Sequence, residues 1–203
     1  MKAKQFIAVI LALTLLMVGC GGGGTETKDP VYVVSILMYG TSVDATANTG
    51  LITKLNTQFP EMAAKVDGIG SYVFENGTDA SAIEANMSKI VLLMNANKIG
   101  LVVSNQTGMG SLCANDAFKP VSEIFSQEEL TSISYPTLTY QKKNAKGEAV
   151  GDPIVYGWDI SGSQTLKALL GDDSVEIGLI AKYPQQTYAK QVLLYLLTQV
   201  DKG

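Results

Sequence analysis

Residues 31–38 read VYVVSILM, a run in which only Ser35 lacks a large apolar or aromatic body. A β-branched run without alternation suits a strand buried on both faces, as in a parallel sheet. Residues 66–75, with Ile69, Tyr72, Val73 and Phe74, predict a second strand, and residues 99–103 (IGLVV) a third. Periodic segments separate them. Val43, Ala47, Leu51, Leu55 and Phe59 recur at steps of four and make one helix face, with Ser42 as its expected N-cap, Gly50 as a weak point and Pro60 at its end. Ile83, Met87, Ile90, Val91 and Met94 stripe a second helix, opened by a Ser81–Glu84 capping box. Strand alternating with helix predicts parallel strands joined by right-handed crossovers.

The second half reads differently. Residues 104–117 form a polar, Gly-bearing loop that passes into a short helix, broken at Phe118-Lys119-Pro120. Ser122 is the expected cap of residues 121–130. Residues 136–143 and 153–158 flank a polar turn and predict a hairpin. A short helix over 163–170, a strand over 175–181 (VEIGLIA) and a last helix after Pro184 complete the order. The last stripe is Ala189, Val192, Leu193, Leu196, Leu197 and Val200. The expected fold is a three-layer α/β/α sandwich with a mostly parallel sheet, formed by residues 31–203.

Residues 1–30 read as address and tether. Lys2 and Lys4 precede an apolar run over 6–18, which ends at Met17-Val18-Gly19-Cys20. Charge, apolar run, small residue and Cys in that order predict a secretory leader. The last four residues resemble the lipobox of bacterial lipoproteins, although Met17 stands where Leu is usual. That resemblance implies a signal peptide over 1–19 and lipidation of Cys20. It implies a membrane-anchored protein facing outside the cytoplasm, since several acyl chains anchor stably. Residues 20–30, with four consecutive glycines after Cys20, form a flexible tether. Cys113 is then the remaining thiol, and its apolar neighbours Leu112 and Ala114 predict a buried, inert one.

Composition excludes several chemistries. All 15 basic residues are Lys, and there is no His. Imidazole-dependent nucleophilic catalysis and His-ligated zinc are therefore excluded, and no cofactor or metal is expected. No guanidinium fork is available for phosphate or carboxylate. A net charge of -4 gives no basic footprint for nucleic acid. The carboxylates form no pair by spacing that predicts hydrolysis, so the protein is read as non-enzymatic.

Residues 83–130 carry a family resemblance in Ile90 through Leu93, Leu101 through Val103, and Ala117-Phe118-Lys119-Pro120-Val121. Tyr156-Gly157-Trp158-Asp159-Ile160-Ser161, and the segment from Val175 through Lys182-Tyr183-Pro184, extend it. These pieces resemble bacterial extracellular solute-binding proteins of the type 2 periplasmic-binding fold. Ile99-Gly100 departs from the pattern where such proteins often carry Asp. The resemblance implies capture of a small solute and delivery to an ABC-transporter permease. Family members have two lobes, with the ligand in the cleft between them. Residues 131–155 are too few for a second lobe, so a shortened, single-lobe member is expected. The alternative is a structural or interaction lipoprotein of the envelope that keeps one lobe without ligand binding and either docks on another envelope protein or pairs as a homodimer.

In open α/β sheets, ligands bind beyond the carboxyl ends of the strands. The candidate contacts there are Tyr39, Thr41, Ser42, Asn76, Thr78, Asp79, Ser104, Asn105, Gln106 and Thr107, with Trp158 added as a ring to stack on a sugar or amide plane. Hydroxyls and amides suit a neutral polar ligand. Each also has a reading as a cap or turn. Gly108-Met109-Gly110-Ser111-Leu112-Cys113 lacks the third glycine and the following acid of a dinucleotide fingerprint. Asp172, Asp173 and Glu176 read as solvated acids of a turn before a strand.

Overall fold

The structure is a computed structural model that describes residues 30–65, 67–75, 79–144 and 146–201. Its helices and strands lie in the unit Val31–Gly203. Strand β1 (Val34–Gly40) is buried along its full length. It pairs in parallel with β2 (Ile69–Glu75) on one side and β3 (Leu101–Ser104) on the other. Beyond β3 the directions change. Strand β6 (Glu176–Leu179) is antiparallel to β3, β5 (Ile154–Asp159) is antiparallel to β6, and β4 (Thr137–Tyr140) is antiparallel to β5. The six strands form one open sheet in the order β2-β1-β3-β6-β5-β4.

The sheet is thus mixed rather than mostly parallel. A hairpin makes β4 and β5 antiparallel, as its turn residues require. Between β5 and β6 the chain forms only α6 (Gln164–Leu170). With this single short helix between them, β5 and β6 enter the sheet antiparallel.

The other helices are α1 (Ala45–Gln58), α2 (Pro60–Ala63), α3 (Ala80–Asn95), α4 (Gln106–Ala114), α5 (Gln127–Ser132) and α7 (Gln186–Thr198), with a 3-10 turn at Val121–Glu123. They cover both faces of the sheet. Val34, Ile36 and Met38 of β1 join Leu51 and Leu55 of α1, Leu166 and Leu169 of α6 and the α7 stripe in one core. Leu37 and Tyr39 turn the other way, to Ile90 of α3 and Met109, Leu112 and Cys113 of α4. Among the described residues, no helix is long and apolar enough to cross a membrane.

Several caps differ from the sequence reading. Asp44, not Ser42, caps α1 and accepts from Ala47 N at 2.7 Å. Asp79, not Ser81, caps α3, and Ser81 N donates to it at 2.9 Å. The capping box belongs to Ser126 and Glu129 on α5, not to Ser122 or to Ser81–Glu84. In each case the chain offers two short polar residues near the helix start, and either type suits an N-cap. Of the α3 stripe, only Ile90 is fully buried, while Met87 and Met94 pack half-buried against the same core as Tyr72 and Phe74 of β2.

Candidate functional site

The carboxyl ends of β1 and β3 and the start of β6 meet at one edge of the sheet, where Ser104 pairs with Glu176 and Tyr39 with Ser104. Three loops converge there on Asp172. Its Oδ1 accepts from Thr41 Oγ1 at 2.9 Å and its Oδ2 from Thr41 N at 3.1 Å. Asn105 Nδ2 approaches Oδ2 at 3.4 Å. Asn105 also caps α4, accepting from Gly108 N at 2.9 Å. Glu75, at the end of β2, accepts from Val43 N at 2.8 Å and pins the same loop from the other side. Thr41, Ser42, Gln106 and Thr107 are exposed around this cluster. A surface of neutral donors and acceptors around one carboxylate suits a polar, uncharged ligand.

Directly beneath lie buried polar groups. Ser104 Oγ donates to the Tyr39 carbonyl oxygen at 2.7 Å. Glu176 is buried, and Tyr156 OH donates to its Oε2 at 2.9 Å. Burial raises the Glu176 carboxyl above the usual carboxylate range, and the nearby Asp159 charge adds to this; the Tyr156 bond opposes both. Burial likewise pushes the Cys113 thiol up to about 12, with the Glu176 charge adding to it. Cys113 is therefore an unreactive thiol, as its apolar neighbours predicted.

A bulge decides where the β5 side chains point. Leu138 pairs with Gly157, but Thr139 pairs with Val155, so Tyr156 is the extra residue. Tyr156 and Trp158, two apart, consequently enter opposite cores. Without the bulge they would share a face. Gly157 makes this possible, since a Cβ there would collide with the Ile177 carbonyl oxygen of β6.

The expected site residues separate into five groups. Thr41 and Asn105 come together on Asp172, with Ser42, Gln106 and Thr107 beside them. Ser104 is buried and its hydroxyl is committed to the backbone. Asp79 serves as a helix cap, and its bonds with Ser81 hold its carboxyl below the usual range. Asn76, Thr78 and Cys20 lie outside the described residues. Two expectations are corrected: Tyr39 and Trp158 are each 1% exposed, so neither ring presents a face for a sugar or amide to stack on at this edge. Both rings are core volume.

Of the three acids read as a solvated turn, Asp173 is one, exposed and 4.0 Å from Lys167; the other two are corrected, since Asp172 is a hydrogen-bond hub and Glu176 is buried within β6. One sequence signal pointed to Glu176, an acid within the apolar run VEIGLIA. Gly108 and Gly110 lie inside α4. A Cβ on Gly108 would strike Tyr39 and Ser104, whereas Gly110 faces open space, so Gly108 answers to packing. Among the described residues, no group of three His, Cys, Asp or Glu side chains is arranged to hold a metal ion. Comparison with protein-family models, with curated proteins and with solved structures finds no match.

Proposed function

We propose that this chain is a lipid-anchored lipoprotein outside the cytoplasm that captures a small polar solute, built on one lobe of a periplasmic-binding-like fold. The carrying observation is the convergence of Thr41, Asn105 and Asp172 from three separate loops at the carboxyl edge of the sheet. Ligands of open α/β sheets bind at such edges. The lipobox ending at Cys20 and the glycines after it support the anchor. The function is binding rather than catalysis, and delivery to an ABC-transporter permease follows from the family resemblance.

Two experiments test this reading. Cells fed a clickable fatty acid label the wild-type chain and not Cys20→Ala, which leaves the membrane fraction; an unlabelled wild type sinks the anchor. Purified full chain is then screened by thermal shift against neutral sugars, amino acids and small peptides. A hit whose shift is lost in Thr41→Val and Asn105→Ala supports capture at this edge. A flat screen, or a hit indifferent to both variants, removes it.

A second reading is an interaction lipoprotein without ligand. It is favoured by α3, where Leu92, 68% exposed, lies beside the half-buried Met87 and Val91. A contiguous apolar patch on a surface helix is the kind of feature that marks partner contacts. Light scattering distinguishes a homodimer; a strict monomer that retains no envelope partner argues against this alternative.

A further inference from the structure

Away from the carboxyl-edge cluster, a cavity of about 390 Å³ opens between the 3-10 turn, α5 and the β4–β5 hairpin. Val121, Leu130, Ile133 and Val155 form its walls and Trp158 its floor. The hydroxyl residues Ser122 and Thr137 are exposed and also line it. No lining residue carries a charge. Ligand pockets for small molecules range over roughly 300–1,000 Å³, so this space fits one compact molecule rather than a helix or a strand.

The floor is a rigid aromatic. Phe125 meets the Trp158 ring edge-to-face, with centroids 5.4 Å apart and planes at 87°. The Tyr156 bulge and Gly157 are what turn Trp158 to this side of the sheet. Bulges of this kind re-aim side chains beside binding sites. An ion seated here would lose its water with no opposite charge to receive it. A neutral ring loses little and gains contact with the aliphatic walls above the buried Trp158.

We propose that this groove binds a small, neutral, ring-bearing molecule carrying one hydroxyl or equivalent polar group, which reaches Ser122 or Thr137. Trp158 is the single tryptophan of the chain, so its emission reports this groove alone. Full chain is titrated with benzyl alcohol and cyclohexanol, and with benzoate and benzylamine as charged counterparts. A saturable change in Trp158 emission with the neutral pair, at least tenfold weaker for the charged pair, is expected. Thr137→Phe, which projects a ring into the groove, abolishes the response while the unfolding midpoint stays in place; Leu130→Phe is the second filling variant. A response that is linear without saturation, one equal for charged and neutral probes, or one that survives both filled variants overturns the proposal. So does a Trp158 emission that already shifts with protein concentration alone, since a second copy would then occupy the groove.

Discussion

The two halves of the sheet are held by opposite means. In β2-β1-β3 the register runs unbroken from Val34↔Ile69 to Gly40↔Glu75, and large side chains fill both faces of β1. In β6-β5-β4 the register shifts at Leu138/Thr139, and Gly157 faces Gly178 across the β5–β6 pair. Here missing side chains decide the geometry. The Phe118 ring occupies the space beside Gly178, and the Ile177 carbonyl the space beside Gly157. Gly70 of β2 likewise makes room for the Tyr32 ring, but in β6-β5-β4 a Cβ on Gly157 would meet backbone. A truncation should therefore hurt the first half most and an added methyl the second.

Ile36→Ala gives the largest expected effect. Ile36 is fully buried in the core shared by β1, α1 and α7. Large-to-small changes at such sites cost about 2–5 kcal/mol through lost burial and the cavity left behind. Equilibrium urea unfolding measures it. A loss below about 1 kcal/mol would mean that the site collapses freely and that volume does not specify this half.

Gly157→Ala is the converse test. The added methyl must displace backbone rather than a flexible side-chain end. Overpacking of this kind costs about 1–3 kcal/mol. The change should also loosen Trp158 from Phe125 and shift its emission, a signature absent in Ile36→Ala. Unchanged stability together with unchanged emission would show that the bulge is not held by the missing Cβ.

The same contrast explains what could be read in advance. The alternation of apolar runs and striped helices made β1, β2, β3, α1 and α7 legible, because continuous burial leaves a continuous sequence pattern. The hairpin was legible from its turn. The direction of β6 was not, because VEIGLIA reads the same whichever way it enters the sheet. The bulge was not legible either, since Tyr156 and Trp158 sit two apart and alternation places them on one face. Trp158, expected as a ring to stack on a ligand, is found in the core instead. Asp172 was missed because its partners, Thr41 and Asn105, are 131 and 67 residues away.

Glu176→Gln tests a buried acid within the antiparallel half. Its carboxyl sits above the usual range chiefly through burial. A group raised in the folded state contributes stability that is complete below its unfolded pKa of about 4.3 and is lost as pH rises through the folded value. Wild type should therefore lose stability relative to Glu176→Gln from about pH 4 upward. The variant keeps an acceptor for Tyr156 OH and should be the more stable chain at neutral pH, by less than the Gly157→Ala loss. Chemical unfolding across the pH range compares the two. A wild type that gains on the variant as pH rises would show a carboxylate stabilised in place, reversing the sign.

The smallest effect is expected where the two halves are joined. Asp172 belongs to the α6–β6 connection, yet its three bonds reach loops that follow β1 and β3. If those bonds fasten one half to the other, their energies are not independent. Asp172→Ala should cost about 1 kcal/mol, because the carboxylate is partly exposed and water replaces much of what is lost. Thr41→Val removes the hydroxyl donor while leaving Thr41 N in place. A double-mutant cycle between them should return a coupling of about 0.5 kcal/mol, at the lower end for residues in direct contact. A coupling near zero would mean that Thr41 and Asp172 are neighbours without mutual stabilisation. The polar edge would then be held by Glu75 on Val43 N and by the helix caps Asp44 and Asn105, leaving the Asp172 carboxylate available to an incoming ligand.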